Sequence, residues 1–489
     1  MAAVKTDKTA TMICRGLYES IFRGKGNAAP FSFSVQTLGC KLNQIESEAI
    51  ADSFKKAGLT LVPWGEAADI LVINTCTVTS RAEQKARRII RKALKDNPLC
   101  RVIVTGCYAQ LEAEAIAALE TDSPPVLRPS PRTPRLFVVP GDLKPELLKL
   151  PRVFSPDGVS AGLETAEKPE AAENHITDPF AYKTSALSFH SRAFLKIQDG
   201  CDRACTYCRV TLARGESVSL DSKLVLARLR ELEARGYGEA VLTGVNIGRY
   251  RDGAGKDLGG LLAHLLANTG GIALRLSSLE GEGITAEFLD AITDKRIRPH
   301  FHLSIQSGSK TVLERMGRRY APEEIERNVA ALRERKDDPF LACDIIAGFP
   351  GETPAEFEET RLLCERTDFA WIHAFPYSKR PGTAAASFRN PVSEREAAAR
   401  VEYLGALASS GRAVYVRRWL GRTVEAIPEK PEAAMPGFSA AVSENYLRLL
   451  IPHKDGPPPA GKPLFCRMVP LTDKTGRFDA LGEPLPHSV

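Results

Sequence analysis

The sequence predicts an α/β protein in three parts: an N-terminal parallel α/β domain, a central partial (β/α)6 barrel and a small C-terminal β-barrel. Short β-branched runs alternate with helical patterns over residues 31–110 and again from Phe194 onward, the rhythm of parallel sheets built from βα units. After about residue 421 the texture changes to short strand-like runs between Pro and Gly turns. The length of 489 residues also exceeds what one core organises, since roughly 150 residues make a domain.

Composition narrows the class. With 43% hydrophobic and 26% charged residues the chain belongs with globular proteins rather than disordered ones. No apolar run reaches the roughly 18 residues that a membrane span needs. Residues 1–30 carry Lys5, Lys8, Arg15, Arg23 and Lys25 without the continuous apolar stretch of a secretory signal, and read as a disordered extension. Eleven cysteines over a long chain fit neither a disulfide-stapled fold nor secretion, so a cytoplasmic location is expected. The net charge of +6 is compatible with a polyanionic partner without demonstrating one.

In the first domain, residues 31–154, the strand candidates are Phe33 to Leu38, Ile70 to Asn74 and Val102 to Thr105. Residues 121–180 hold eleven of the chain's 33 prolines. They accommodate a last strand at Leu136 to Val139, a short helix at Lys144 to Leu150, and then a linker over 155–190. The central domain, 191–420, has strands near 194–198, 239–243, 272–277, 300–306, 340–346 and 370–376 with amphipathic helices between. A fold of this kind carries its chemistry at the carboxyl ends of the strands. The last module, 421–489, has strand candidates at Thr423 to Ile427, Tyr446 to Ile451 and Pro463 to Val469.

The strongest local signal is Cys201-Asp202-Arg203-Ala204-Cys205-Thr206-Tyr207-Cys208, directly after the first strand of the central domain. Three thiolates on so short a loop bind three corners of a cubane cluster. A structural zinc site would want a fourth ligand nearby, and the next cysteine is Cys343. Three ligands on four irons leave one iron open to a substrate or cofactor. A second pattern is distributed: Cys40, Cys76 and Cys107 each follow a predicted strand of the first domain. Positions just past consecutive parallel strands share one sheet edge, where open α/β sheets bind ligands. The alternative is three buried structural thiols. Cys14, Cys100, Cys343, Cys364 and Cys466 have no spacing partner and read as core.

Several segments together resemble the radical S-adenosylmethionine methylthiotransferases over about residues 31–450. They are Thr37 to Gln44, Asn74 to Thr79, Gly106 to Gln110, Phe194 to Gly215, Leu242 to Gly248, His302 to Gly317 and Asp344 to Glu352. The form Gly39-Cys40-Lys41-Leu42-Asn43-Gln44 is similar to the subgroup acting on N6-threonylcarbamoyladenosine at position 37 of tRNA. The resemblance implies two 4Fe-4S clusters, one on Cys201, Cys205 and Cys208 and an auxiliary one on Cys40, Cys76 and Cys107. It further implies S-adenosyl-L-methionine as both methyl donor and radical source, an external reductant, and the tRNA anticodon loop as partner. The radical would abstract hydrogen from C2 of the adenine, a C–H bond with no acidic proton for base catalysis. Other readings are methylthiolation of a ribosomal-protein side chain and a noncatalytic, metal-stabilised RNA-binding protein.

For the cofactor, Gly244 at the turn after the second barrel strand permits close backbone approach. Ser304 and Gln306 alternate on the fourth strand and so share a face toward the ribose. Tyr207 would meet the adenine by ring or backbone; turn, barrel and packing roles are the alternatives. For RNA, residues 81–95 hold seven basic residues and one acid, with Arg81, Lys85, Arg88 and Lys92 on one helical stripe. Arg412, Arg417, Arg418 and Arg422 form a second run. The terminal module resembles the family's RNA-binding β-barrel (TRAM), with Ser443 to Arg448 at a matching position. Its eight basic and eight acidic residues give little nonspecific pull on phosphate.

Overall fold

The computed structural model describes residues 31–120, 134–150, 178–183, 189, 191–453, 456–471 and 476–485. The expected N-terminal extension and most of the expected linker lie outside the described residues. The chain divides into two compact units, Met1–Phe189 with Arg209–Gly215, and His190–Cys208 with Glu216–Val489.

The first unit is built on a five-stranded parallel sheet: β1 (Ser32–Thr37), β2 (Thr60–Leu61), β3 (Ile70–Thr75), β4 (Arg101–Gly106) and β5 (Leu136–Val138), in the order β2-β1-β3-β4-β5. Every residue of the central β3 is buried, which is why its sequence is a continuous apolar run rather than an alternating one. Ile70 and Val72 pack on one face with Ile50 and Phe54 of helix α1 (Lys41–Lys56). Leu71 and Ile73 pack on the other with Ala86 and Ile90 of helix α2 (Ser80–Asp96). The two-residue β2 is too short for a sequence pattern. The helix expected at Lys144 to Leu150 is a 3-10 helix over Gly141–Leu148 with Pro145 inside it; the missing N–H and fixed φ of proline disfavour α-helical bonding there.

In the second unit, β6 (Ala193–Lys196) leads into a short antiparallel pair, β7 (Gln198–Asp199) with β8 (Val218–Ser219). The remaining barrel strands are β9 (Glu239–Thr243), β10 (Ala273–Leu276), β11 (His300–Gln306), β12 (Phe340–Ala347) and β13 (Trp371–Pro376). They form two parallel three-stranded sheets, β6-β9-β10 and β11-β12-β13, with isolated bridges from Leu274 of β10 to Ile297 and from Leu279 to Leu303 of β11 between them. The result is the partial six-stranded barrel the sequence predicts. Five further strands, β14 (Thr423–Pro431), β15 (Phe438–Ser443), β16 (Arg448–Pro452), β17 (Leu464–Val469) and β18 (Ala480–Pro484), close into a barrel in the order β14-β15-β16-β18-β17. β15 and β18 escape sequence reading because Ser, Ala, Gly and Pro dominate them.

Within this unit the two barrels are fastened by a buried charge network. Glu239, wholly buried on β9, takes Arg275 at 2.7 Å and Arg298 at 3.0 Å. Arg275 also donates to the carbonyls of Ser443 and Glu444, at 3.0 and 3.1 Å. Burial pushes the Glu239 carboxyl up, but the Arg275, Arg192 and Arg298 guanidiniums more than reverse this and hold it at about 2. Cys100, Cys343, Cys364 and Cys466 are core residues, at most 2% exposed.

Candidate cluster sites

Cys201, Cys205 and Cys208 lie on the loop after β7, each half-buried. The loop is held from the segment around Met316. Thr206 donates its N–H to the Met316 carbonyl at 3.0 Å and its hydroxyl to the Arg315 carbonyl at 2.8 Å. Gly317, at φ +74°, makes that approach feasible, because a Cβ there would stand 2.9 Å from the Ala204 carbonyl oxygen. Arg203 pairs with Glu280 at 3.2 Å and with Glu282, and Glu280 also takes Arg318. Burial raises the Cys201 and Cys205 thiols, and the Arg318 guanidinium opposes the rise at both.

Tyr207 is fixed at both ends. Its hydroxyl accepts from Arg318 at 2.8 Å, and its ring meets Phe349 edge-on with centroids 6.3 Å apart. Gly244 packs so tightly on Gln198 that a Cβ would lie 2.7 Å from Oε1 of that side chain. Gln198 in turn donates to the carbonyls of Asp199 and Gly200, at 2.9 and 2.8 Å. The glycine thus lets the end of β9 brace the base of the cysteine loop. Ser304 donates to Asp344 at 3.4 Å. Gln306 is buried at φ +66°, beyond a register shift that begins at Leu303, so simple strand alternation does not relate it to Ser304. The sequence reading missed Asn246. Its side chain is 95% buried by exposure of 5%, and neither its Oδ1 nor its Nδ2 has a partner among the described residues. It is a buried amide with donor and acceptor both unpaired, just past β9; no composition or spacing signal marks it.

The second trio is assembled from three strand ends. Leu38 N–H donates to the Asn74 carbonyl at 2.8 Å and Thr75 is paired with Gly106, which sets Cys40, Cys76 and Cys107 along one sheet edge. Gly39, at φ +97°, lets the chain lie against Cys76, whose Cβ and Sγ would be 2.5 and 2.8 Å from any Cβ added there. Burial pushes the Cys76 thiol up to about 12, with Cys40 and Cys107 adding to the rise and Arg214 opposing it. Cys40 is open to solvent as a residue while its sulfur is crowded by protein; crowding raises that thiol and Arg214 is the leading counterweight.

Asn43 ties this edge together. Its Nδ2 donates to the carbonyls of Leu38 and Thr75, at 2.8 and 2.9 Å, and its Oδ1 accepts from Arg214 at 2.9 Å. Arg214 also pairs with Glu46 at 3.0 Å, and Glu46 carries a second buried partner, Lys144. Arg214 comes from the helix Val210–Arg214, just after Cys208 in sequence, yet it belongs to the first unit.

Both trios fit an iron–sulfur cubane. Each has three thiols within electrostatic reach of one another or on one short loop, backbone brought close by glycine, and one guanidinium to offset an anionic centre.

The two basic runs differ. Arg81, Lys85, Arg88 and Lys92 are exposed on α2 while Ala86 and Ile90 are buried beneath. Arg412, by contrast, pairs with Asp479 at 2.6 Å, Arg418 with Asp338 at 3.0 Å and Arg422 with Asp337 at 4.0 Å. Ser443 and Asn445 are fully buried and Tyr446 stacks on His300 at 3.9 Å, so much of the Ser443 to Arg448 segment faces the partial barrel.

Residues 32–125 match the family described as Uncharacterized protein family UPF0004, and residues 195–364 match the Radical SAM superfamily. Each matched segment contains one of the trios. The chain is 39% identical over 469 residues to the threonylcarbamoyladenosine tRNA methylthiotransferase MtaB of Treponema pallidum (strain Nichols), covering 87% of this chain and 95% of that protein. It is 34% identical to the MtaB proteins of Thermotoga maritima, over 85% of this chain and 90% of that one, and of Bacillus subtilis (strain 168), over 85% and 89%. With the relatives matched almost end to end and both trios inside the matched segments, the chain belongs to the MtaB family of radical SAM methylthiotransferases.

Proposed function

We propose that this protein is a transferase that places a methylthio group on C2 of N6-threonylcarbamoyladenosine at position 37 of tRNA. On this reading Cys201, Cys205 and Cys208 hold one 4Fe-4S cluster and Cys40, Cys76 and Cys107 hold the other. The observation that carries it is the pair of separate thiol trios, each beside its own arginine, in a chain whose relatives bear this activity in their names. When bound, the clusters and S-adenosyl-L-methionine supply the carbon-centred radical and the sulfur that no side chain provides.

The chain's residues then bind, orient and exclude. Asn246 offers its open amide to the zwitterionic end of the cofactor, and Ser304 and Gln306 stand at the carboxyl end of β11, where the cofactor's ribose is expected. Tyr207, locked by Arg318 and Phe349, presents a fixed wall beside the loop. Arg318 and Arg214 offset the negative charge of each centre. The working domains are residues 31–154, 191–420 and 421–489, joined across 155–190. The anticodon loop is the RNA partner, an external reductant feeds the clusters, and the setting is the cytoplasm. Among the described residues no helix is long and apolar enough to cross a membrane.

Mass spectrometry of tRNA nucleosides from a deletion strain tests the reading. The methylthio form of threonylcarbamoyladenosine should disappear and return on complementation; its persistence in the deletion sinks the substrate assignment.

A further inference from the structure

Helix α2 carries a line of exposed cations that are largely unpaired among the described residues. Arg81, Lys85, Arg88, Lys92 and Lys95 are all exposed, at positions four, three, four and three apart, which places them on one stripe. Among the described residues Arg81, Lys85, Arg88 and Lys95 have no ion-pair partner, and Lys92 reaches only Asp96, at 4.0 Å.

The acid in the first turn of the helix, Glu83, is turned away from the stripe. Glu83 accepts from the Thr77 hydroxyl at 2.5 Å and from Arg209 at 3.2 Å. Arg87 likewise points inward, to the Tyr108 hydroxyl at 2.8 Å. Like charges at these spacings cost a helix about 0.2–0.5 kcal/mol per pair, a cost that a bound polyanion removes.

We propose that this face of α2 is the phosphate-binding surface for the tRNA, an inference that rests on the functional reading above. At about 1.5 Å rise per residue, Arg81 to Lys95 spans roughly 21 Å, long enough to follow several phosphates of one strand. The helix begins four residues after Cys76, next to Val78, which is 62% exposed. A backbone tracked along α2 is thereby led toward the second trio. In the second basic run Arg412 and Arg418 are already paired with Asp479 and Asp338, which leaves fewer free cations there.

The test is tRNA binding by the anaerobically reconstituted protein across a salt series, comparing the parent with the triple variant Lys85→Gln, Arg88→Gln, Lys92→Gln. Losing three phosphate contacts should flatten the slope of log K against log salt by about 2, since each contact contributes roughly 0.7–0.9. Cluster content and cofactor cleavage without tRNA should stay at parental values. A control triple, Lys223→Gln, Lys295→Gln, Arg327→Gln, removes equal charge elsewhere and should keep the parental slope. A parental slope in the α2 variant, or an equal fall in the control, overturns the surface while leaving the function standing if the parent still modifies tRNA. Lost binding of the α2 variant to anionic phospholipid vesicles with tRNA binding intact assigns the face to a lipid instead, and also overturns it. A parent that neither binds nor modifies tRNA overturns the functional reading itself.

Discussion

The two cysteine trios are assembled by opposite routes. Cys201, Cys205 and Cys208 sit on one short loop, so their proximity is guaranteed by covalent connection and the fold has only to pin the loop, through Thr206, Gly317 and the Arg203–Glu280–Arg318 pairs. Cys40, Cys76 and Cys107 are brought together solely by the register of β1, β3 and β4 and by the cross-links of Asn43. A local site tolerates strain in its surroundings; a distributed one fails as soon as a strand end moves.

That contrast is sharpened most by removing one thiol from each trio. Cys201→Ala should reduce formation of 5′-deoxyadenosine to background, a larger loss than the roughly 10–100-fold typical of outer-shell partners. Cys76→Ala should leave that cleavage in place and stop methylthio transfer. Product analysis by mass spectrometry decides; intact transfer in the second variant removes the auxiliary trio from the chemistry.

The frame under the contiguous trio is the next target. Glu239→Gln leaves Arg275 buried without a carboxylate partner, while Arg298 keeps Glu425 at 2.5 Å, and breaking the pair costs about 3–5 kcal/mol. The carboxyl is depressed from the usual 4.5 to about 2. Its contribution is therefore complete above its ordinary range and is withdrawn as pH falls from about 4.5 toward 2, on the order of 3 kcal/mol. Hydrogen exchange in β9 and β10 against pH should show that loss in the parent and not in the variant.

Smaller still is the electrostatic effect of the arginines. Arg214→Gln should shift only the auxiliary cluster to a more negative potential, and Arg318→Gln only the other, each by about tenfold in its one-electron equilibrium, or roughly 59 mV. Arg214→Lys should restore most of the shift. Anaerobic redox titration monitored by EPR reads both centres, and equal movement of the two would dissolve the assignment of one cation to each. The mildest change is Gly317→Ala, where φ +74° costs an L-residue about 1–2 kcal/mol. Calorimetry should show that loss, and a neutral result would mean the loop is not held against Gly317.

Much of this was legible beforehand because the signals are short-range. The βα rhythm, the central runs such as Ile70 to Thr75, and the Cys201 to Cys208 loop are all written within a few residues of themselves. Placement of Cys40, Cys76 and Cys107 just past three strands followed from topology, since parallel strands of one sheet share an edge. The Gly244 position was legible as a close approach, but its nearest neighbour is Gln198 rather than open space. β15 and β18 carried no pattern because a closed barrel recruits weak strand formers by pairing them on both sides.

What the sequence determined alone was therefore the repeat of strand and helix, the contiguous thiol loop and the charge carried by each segment. Only the tertiary structure decided which charges are consumed and which remain. Arg412 and Arg418 find acids far away in the chain, whereas the α2 stripe finds none beyond Asp96 at 4.0 Å among the described residues. The same holds for Arg214 beside Cys40 and Cys76, and for the unpartnered amide of Asn246. The reason is range: backbone pattern and covalent spacing act over a few residues, but whether a buried or charged group is satisfied depends on partners that folding alone brings near.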